Sequence, residues 1–290
     1  YEIESYTNNI DVGSASVIIK GINGYDGEVT KQFNIIPRSI TQCSFTNIVD
    51  KVYAGRATSQ DLVVTDAGRR LEAGRDYTLA YADNANPGIA TIEISGINNY
   101  GGARTIRYLI NVSNMTAVRA QGYGDYVELR WSAVPGAQGY AVYDLNNKLI
   151  GKTAALTYRH SGLDALTEYG YKVRPYIVSN RTTYYGGFSS SLRATTKIAR
   201  PVVSLKAGKK KMRVSWKRIK GVSGYEIYRS TKKSKGYQKI RTAGRVSITS
   251  YTNKKLASKT KYYYRVRAYK VVNGRKIYSS YSSPKSAKAK

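Results

Sequence analysis

Two stretches of this chain spell one pattern twice. Trp131 is followed by Gly139-Tyr140-Ala141-Val142-Tyr143 and by Thr167-Glu168-Tyr169-Gly170-Tyr171-Lys172-Val173. Trp216 is followed by Gly224-Tyr225-Glu226-Ile227-Tyr228 and by Thr260-Lys261-Tyr262-Tyr263-Tyr264-Arg265-Val266. Repetition of a whole small domain makes the chain a string of modules, so its function lies on or between modules rather than in one deep cleft. Modules this small hide only about 60–65% of their unfolded surface, so each depends on a few large anchors. The 2 Trp and the 28 Tyr, against 3 Phe, suit that need.

A second repetition has a period of 75. Tyr6, Gly13, Gly21, Ile22, Tyr25 and Gly27 fall onto Tyr81, Gly88, Gly96, Ile97, Tyr100 and Gly102. Residues 1–37 therefore read as the second half of a repeat that residues 38–112 carry whole. Ser14-Ala15-Ser16-Val17-Ile18-Ile19 and Ile89-Ala90-Thr91-Ile92-Glu93-Ile94 alternate at the period of half-buried strands. Asn8-Asn9 and the run from Asn84 to Gly88 supply turn chemistry ahead of them. The chain opens without Met, in mid-pattern, and is expected to be a piece of a longer exported protein.

The residues Tyr53-Ala54-Gly55, Asp66-Ala67-Gly68, Leu71, Gly74, Asp76-Tyr77, Leu79, Tyr81, Gly88, Ala90, Gly96, Asn99-Tyr100 and Gly102 resemble a bacterial immunoglobulin-like repeat. Such repeats occur in tandem on exported proteins of Gram-positive bacteria. The partial copy departs from the pattern at Tyr1-Glu2-Ile3-Glu4-Ser5-Tyr6, which carries one residue more than the repeat's usual spacing and unsettles the register of its first strand.

Ser113-Asn114 opens a third module and Ile198-Ala199-Arg200-Pro201 a fourth. Val127, Leu129 and Trp131 point one way while Glu128 and Arg130 point the other. Met212, Val214 and Trp216 alternate likewise with Arg213 and Ser215. Helical spacing is nearly absent, and only Leu163 to Leu166 suits a single turn. The Trp, the Gly-Tyr run, the Tyr-x-Tyr-x-Val run and the closing Gly187-Phe188-Ser189-Ser190 or Tyr281-Ser282-Ser283-Pro284 resemble fibronectin type III domains over 113–290. The resemblance implies a seven-stranded, two-sheet sandwich in each module, with Trp131 and Trp216 in the core. It also implies that Tyr169 and Tyr262 bond back to the main chain where the strand crosses between sheets. The expected fold is thus an all-β, elongated string of small sandwiches: half a repeat at 1–37, an immunoglobulin-like module at 38–112, and fibronectin type III modules at 113–197 and 198–290.

Charge is unevenly placed. Residues 198–290 hold 28 Lys and Arg against one acid, Glu226, while the rest of the chain has 20 bases against 17 acids, for a net +30 overall. A field that concentrated attracts polyanions and is sensitive to salt. Teichoic acids, sulfated or sialylated glycans, anionic membrane surfaces and nucleic acid are the partners such a field would draw. Plain solubility is the other reading of the same lysines. Cys43 is alone, so no internal disulfide forms, and its alternating Ile40-Cys43-Phe45 setting suggests a buried apolar role. No window is apolar enough for a membrane span.

Nothing in the chain assembles an active site. His160, the single histidine, sits after Tyr158-Arg159 in a turn-like stretch and reads as a solvated loop residue with no triad partner. The acids lie singly, on turns (Asp66, Asp76, Asp83) or strand faces (Glu93, Glu128). The glycine-rich segments at Gly21 to Gly24 and Gly96 to Gly102 join strands to strands, which fits hairpins rather than phosphate loops. No enzyme, metal or cofactor is expected.

Surface recognition remains. Strand alternation in the fourth module puts Tyr263, Arg265, Arg267, Glu226 and Tyr228 on one outward face. Guanidinium forks and tyrosine faces suit anionic sugars or phosphodiesters. Lys209, Lys210, Lys211, Lys232, Lys233, Lys235, Lys254 and Lys255 lie on expected turns and add point charges. The third module shows Tyr143, Lys172 and Arg174 at equivalent places with far less charge, and serves as a control. The functional expectation is a non-catalytic spacer and attachment segment, secreted or wall-attached, whose modules, each roughly 30–40 Å long, act as a semi-rigid rod. Its last module is expected to bind cell-wall polyanion or anionic glycan. Two alternatives stay open: an adhesin segment binding a host protein or glycan through loops such as Asp83-Asn84-Ala85-Asn86, and the accessory tail of a glycoside hydrolase or peptidase. No specific nucleic-acid ligand is expected, because the resemblance offers no groove-reading element.

Overall fold

The computed structural model describes all 290 residues, and strands dominate it. Its one helical element is the 3-10 turn Ile40–Gln42, whereas Leu163 to Leu166 forms a plain turn with Leu166 at φ +49°. The chain packs as two compact units. The first comprises Tyr1–Ser113 with Val134–Gln138 and Tyr176–Gly186. The second comprises Asn114–Ala133, Gly139–Pro175 and Gly187–Lys290.

The first unit begins with β1 (Glu2–Thr7), β2 (Gly13–Lys20) and β3 (Glu28–Ile35), paired antiparallel in that order. There follow β4 (Arg38–Ser39), β5 (Ser44–Thr46), β6 (Lys51–Val52), β7 (Val63–Asp66), β8 (Arg69–Arg70), β9 (Tyr77–Ala82), β10 (Gly88–Gly96), β11 (Tyr100–Gly101) and β12 (Ala103–Asn111). They build a sheet of order β6-β12-β10-β9 and another of order β5-β7-β8, with Ile40, Val64, Leu71, Ile92, Ile94 and Ile110 among the core residues. Cys43 is a free, buried thiol in that core, and burial, foremost, pushes its pKa up.

The period of 75 is legible in the backbone. Strands β1, β2 and β3 repeat the places of β9, β10 and β12. Gly21 N–H donates to Gly27 O at 3.0 Å as Gly96 N–H donates to Gly102 O at 2.9 Å. Both closures need glycine, since a Cβ on Gly21 would lie 2.6 Å from Tyr25 O and one on Gly96 would lie 2.8 Å from Gly101 N. The surplus residue of the partial copy is absorbed as a bulge between Ile3 and Ser5. The bulge sets Ile3 opposite Ile19, as Leu79 is opposite Ile94, so the inward set is kept in register. The two copies differ in cover. In the β1–β3 sheet, Ile3 (51% exposed), Phe33 (39%) and Val29 (51%) meet solvent and only Ala15 is buried, because nothing equivalent to β5-β7-β8 lies over them.

Two sandwiches of one plan follow. The first has β13 (Val118–Gly122), β14 (Tyr126–Trp131), β15 (Gly139–Tyr143), β16 (Leu149–Thr153), β17 (Thr157–Ser161), β18 (Glu168–Ser179), β19 (Thr182–Tyr185) and β20 (Leu192–Thr195). The second has β21 (Val203–Gly208), β22 (Lys211–Trp216), β23 (Gly224–Ser230), β24 (Gln238–Ala243), β25 (Ser250–Lys254), β26 (Lys261–Val272), β27 (Arg275–Tyr278) and β28 (Lys285–Lys288). A three-stranded sheet, β13-β14-β17 or β21-β22-β25, faces a sheet of order β16-β15-β18-β19 or β24-β23-β26-β27. The strand β20 or β28 pairs further along β18 or β26. Counting the interrupted last strand once, each sandwich has seven strands.

The anchor residues occupy equivalent places. Trp131 and Tyr140 rings are 5.2 Å apart at 54°, and Trp216 and Tyr225 rings 5.2 Å apart at 55°. The Tyr169 hydroxyl accepts from Asp164 N–H at 3.0 Å, and the Tyr262 hydroxyl from Ala257 N–H at 3.2 Å. Where the last strand breaks, a buried serine serves the neighbouring main chain: Ser189 and Ser282 hydroxyls accept from Val173 and Val266 N–H at 3.1 and 3.0 Å. This gives the closing Ser motif its physical role.

Within the second unit, Ala165 from the turn before β18 belongs to the core of the β21–β28 sandwich, with Trp216, Val222 and Leu256. Lys270 Nζ donates to Ala165 O at 2.5 Å, and a Cβ on Gly221 would lie 2.7 Å from Ala165 N. Gly221 therefore permits a close approach that any side chain would block.

Candidate functional site

The twelve basic and aromatic residues expected to bind polyanions divide between two sheets. Tyr228 lies on β23, and Tyr263, Arg265 and Arg267 on β26, with Tyr228 opposite Arg265. Lys232, Lys233 and Lys235 occupy the turn from β23 to β24. This turn is tied to the same sheet because Tyr237 donates to Lys233 O at 2.9 Å and lies under the Arg265 guanidinium, whose Cζ is 4.3 Å from the tyrosine ring centroid. Lys209, Lys210, Lys211, Lys254 and Lys255 gather on the other sheet. There Lys211 is opposite Lys254, and Leu256 N–H donates to Lys210 O at 3.0 Å. Two lysine runs far apart in sequence thus become one patch, separate from the aromatic residues.

Alternation puts Glu226 on the outer face of the larger sheet, yet its side chain is 1% exposed. Tyr228, Tyr278, Arg267, Lys276 and Lys239 close over it. Its carboxylate accepts from Arg267 at 2.8 and 3.1 Å, from Tyr228 at 2.8 Å, and from Lys276 and Tyr278 at 3.4 Å, with Lys239 Nζ at 3.7 Å. Arg267 in turn stacks on Tyr278, Tyr281 and Tyr228 at 3.7, 5.0 and 5.3 Å. Burial favours the neutral acid, but the hydrogen bonds from Arg267, Tyr228 and Lys276 and the charge of Arg267 prevail and hold the Glu226 carboxyl down to about 2. Burial, foremost, and bonds to Tyr281 and Glu226 push the Tyr228 phenol well above its usual range. Arg267 and Tyr228 are therefore committed to an internal counter-ion.

Other polar residues depart from the sequence reading. His160 lies on β17, not in a loop. Its Nδ1 is 3.1 Å from the Tyr171 hydroxyl and its ring meets Tyr169 and Tyr171 edge to face. Burial lowers its pKa, because an imidazolium is poorly solvated there. Asp66 and Asp76, expected as solvated turn acids, are covered instead. Asp66 pairs with Arg38 at 2.7 Å and accepts from Tyr100 at 3.0 Å. Asp76 pairs with Arg75 at 2.9 Å and accepts from Glu72 N–H at 2.8 Å. The Asp83 to Asn86 loop rims a polar recess of about 630 Å³ with Arg107, Ser179 and Asn180. Asn84 Nδ2 donates to Thr58 O at 2.8 Å, which fixes the loop. No helix of the chain is long and apolar enough to cross a membrane.

No protein-family model and no curated protein sequence matches the chain. Among solved structures, the FN1–FN3 domains of chicken CNTN1 align with 88% of this chain and all of their own, at 17% identity and a TM-score of 0.29. A segment of two fibronectin type III domains from chicken tenascin aligns with 60% of this chain and 98% of its own, at 16% identity and 0.33. The chicken interferon gamma receptor alpha chain aligns with 61% and 98%, at 11% identity and 0.40.

Proposed function

We propose that the chain is a non-catalytic spacer and attachment segment of an exported, surface-held protein. In this reading it is organised as modules 1–37, 38–112, 113–197 and 198–290, the last holding polyanions of the cell wall or anionic glycans. One observation carries it. Residues 198–290 set 28 cations against a single acid, and that acid is buried beneath its own cations, so most of the remaining cations have no acidic partner within 198–290. The sandwich cores explain folding without any of those lysines, which leaves the excess charge to serve association or solubility.

The test separates the two. The chain of 290 residues and a version ending at Lys197 are passed over Gram-positive cell wall, native or stripped of its phosphate polymer, along a salt gradient. The full chain alone should be retained, released by salt, and indifferent to stripped wall. Equal retention of both versions, or retention that salt does not weaken, would sink the reading. The polar recess at Asp83 to Asn86 favours a second one, an adhesin that takes a host glycan or protein at that loop. Replacing the loop with Gly-Ser would abolish host-surface binding and leave wall retention intact.

A further inference from the structure

The strongest unexplained feature is the outward face of β21-β22-β25. Alternation sends Val203, Leu205, Met212, Val214, Trp216 and Tyr251 inward, so Ser204, Lys206, Lys211, Arg213, Ser215, Ser250, Thr252 and Lys254 face out. Lys206 is directly opposite Arg213, and Lys211 directly opposite Lys254. Like charges set opposite each other destabilise a sheet. Nothing local offsets them: the one acid of residues 198–290 is buried on the other sheet, and Arg213 reaches only Ser250 Oγ, at 3.4 Å.

We propose that this face is the polyanion-binding surface of the chain and that its occupant is a polyol-phosphate polymer, a chain of phosphodiesters without bases. The proposal rests on the polyanion reading above and places it on Lys206, Lys211, Arg213 and Lys254. The attachment points of neighbouring cations are about 6.8 Å apart along β22 and about 5 Å apart across strands, which sets several cations within reach of successive phosphates. A row of hydroxyls, Ser204, Ser215 and Ser250, flanks the cations, and Thr252 lies opposite Arg213; the Ser204 and Ser215 hydroxyls are 2.9 Å apart, so one of that pair keeps its O–H for a phosphate oxygen. No aromatic side chain stands among the outward residues. A surface built for bases supplies stacking platforms, and this one supplies none. Lys209, Lys210 and Lys255 extend the set of cations at one end.

The probe is lipid-free poly(glycerol phosphate), with single-stranded DNA of equal phosphate number as the comparison, both titrated into the full chain over a range of salt. One variant carries Lys206→Gln, Lys211→Gln, Arg213→Gln and Lys254→Gln. The other removes four charges elsewhere, at Lys232, Lys233, Lys235 and Lys261. The first should bind the polymer at least about tenfold more weakly and lower the slope of log affinity against log salt by about 3, and the second should change little. Equal weakening of both variants overturns the assignment to this face while sparing the polyanion reading. Tighter binding of DNA than of polymer overturns the occupant. Failure of the unaltered chain to bind either polymer overturns the polyanion reading itself. The first variant should also melt above the parent, since it removes two like-charge pairs; a lower melting point would overturn the claim that the face is held against its own repulsion.

Discussion

The β13–β20 and β21–β28 sandwiches each carry an arginine against a pair of aromatic residues on the outer face of their larger sheet and differ in what lies beneath them. In the first, Arg174 donates to Tyr143 at 2.7 Å and stacks on Tyr143 and Phe188, and beneath sits Ala141. In the second, Arg267, Tyr228 and Tyr281 take those places, and beneath sits Glu226. The aromatic pairs have nearly the same geometry, with centroids 5.2 and 5.1 Å apart at 84° and 90°. One carboxylate then changes which cations are available. Glu226 pairs with Arg267, Lys276 and Lys239, and no acid of residues 198–290 remains for the lysines of the opposite sheet. Net charge alone therefore does not say which cations lack an acidic partner; the position of the acid does.

The largest effect tests the shared part of the comparison. Trp131→Ala and Trp216→Ala should each cost about 3–5 kcal/mol by chemical denaturation of the full chain, because each removes a core anchor packed on the equivalent tyrosine, Tyr140 or Tyr225. Both indole N–H groups are buried without an acceptor, so packing alone accounts for the loss. A gap of more than about 2 kcal/mol between the two would break the equivalence of the sandwiches.

The unshared part is tested at Glu226. Glu226→Ala copies the other sandwich, yet it leaves Arg267, Lys276 and Lys239 facing one another, and should cost about 3 kcal/mol at neutral pH. A near-neutral result would mean that stacking on Tyr278 and Tyr281 suffices for Arg267. The acid also gives a pH signature. Its folded pKa, about 2, lies below its ordinary value of 4.5, so its contribution is fully present above about 4.5 and disappears as pH falls toward about 2. Acid unfolding of the β21–β28 sandwich, followed by Trp216 fluorescence in a Trp131→Phe background, should lose on the order of 2–3 kcal/mol over that interval. Glu226→Gln should flatten that loss, and an unchanged profile would remove Glu226 from the account.

Much of this was legible in the sequence, and the gaps share one cause. Strand alternation and the two repeats gave the strands and the side on which Trp131 and Trp216 lie, since period-2 patterning decides which side of a sheet a residue faces, whereas the core role of the two Trp and the tyrosine bonds to the main chain came only from the resemblance of residues 113–290 to fibronectin type III domains. Alternation also put Glu226 outward, and could not show that long neighbours would fold over it, because burial by side chains from adjacent strands depends on pairings that a linear pattern does not contain. The like-charge pairing of Lys206 with Arg213 was hidden for the same reason. Each is an ordinary exposed base on its own strand, and only the register of β21 with β22 sets them opposite each other. His160 was misplaced because its Arg-His-Ser-Gly surroundings read as a turn, whereas β14 pairs with it as a strand.

The smallest effect returns to what the two sandwiches share. The Tyr169 and Tyr262 hydroxyls each accept one main-chain N–H, from Asp164 and Ala257. Replacing either by Phe leaves that N–H without its partner and should cost about 1 kcal/mol, read from denaturant midpoints at constant slope. The two sites differ in exposure: Tyr262 is buried and Tyr169 only half-buried, so water replaces the lost bond more readily at Asp164. Tyr262→Phe should therefore be the costlier of the two. The reverse order would show that Ala165, which sits next to Asp164 and packs into the β21–β28 core, carries the loss from one sandwich into the other.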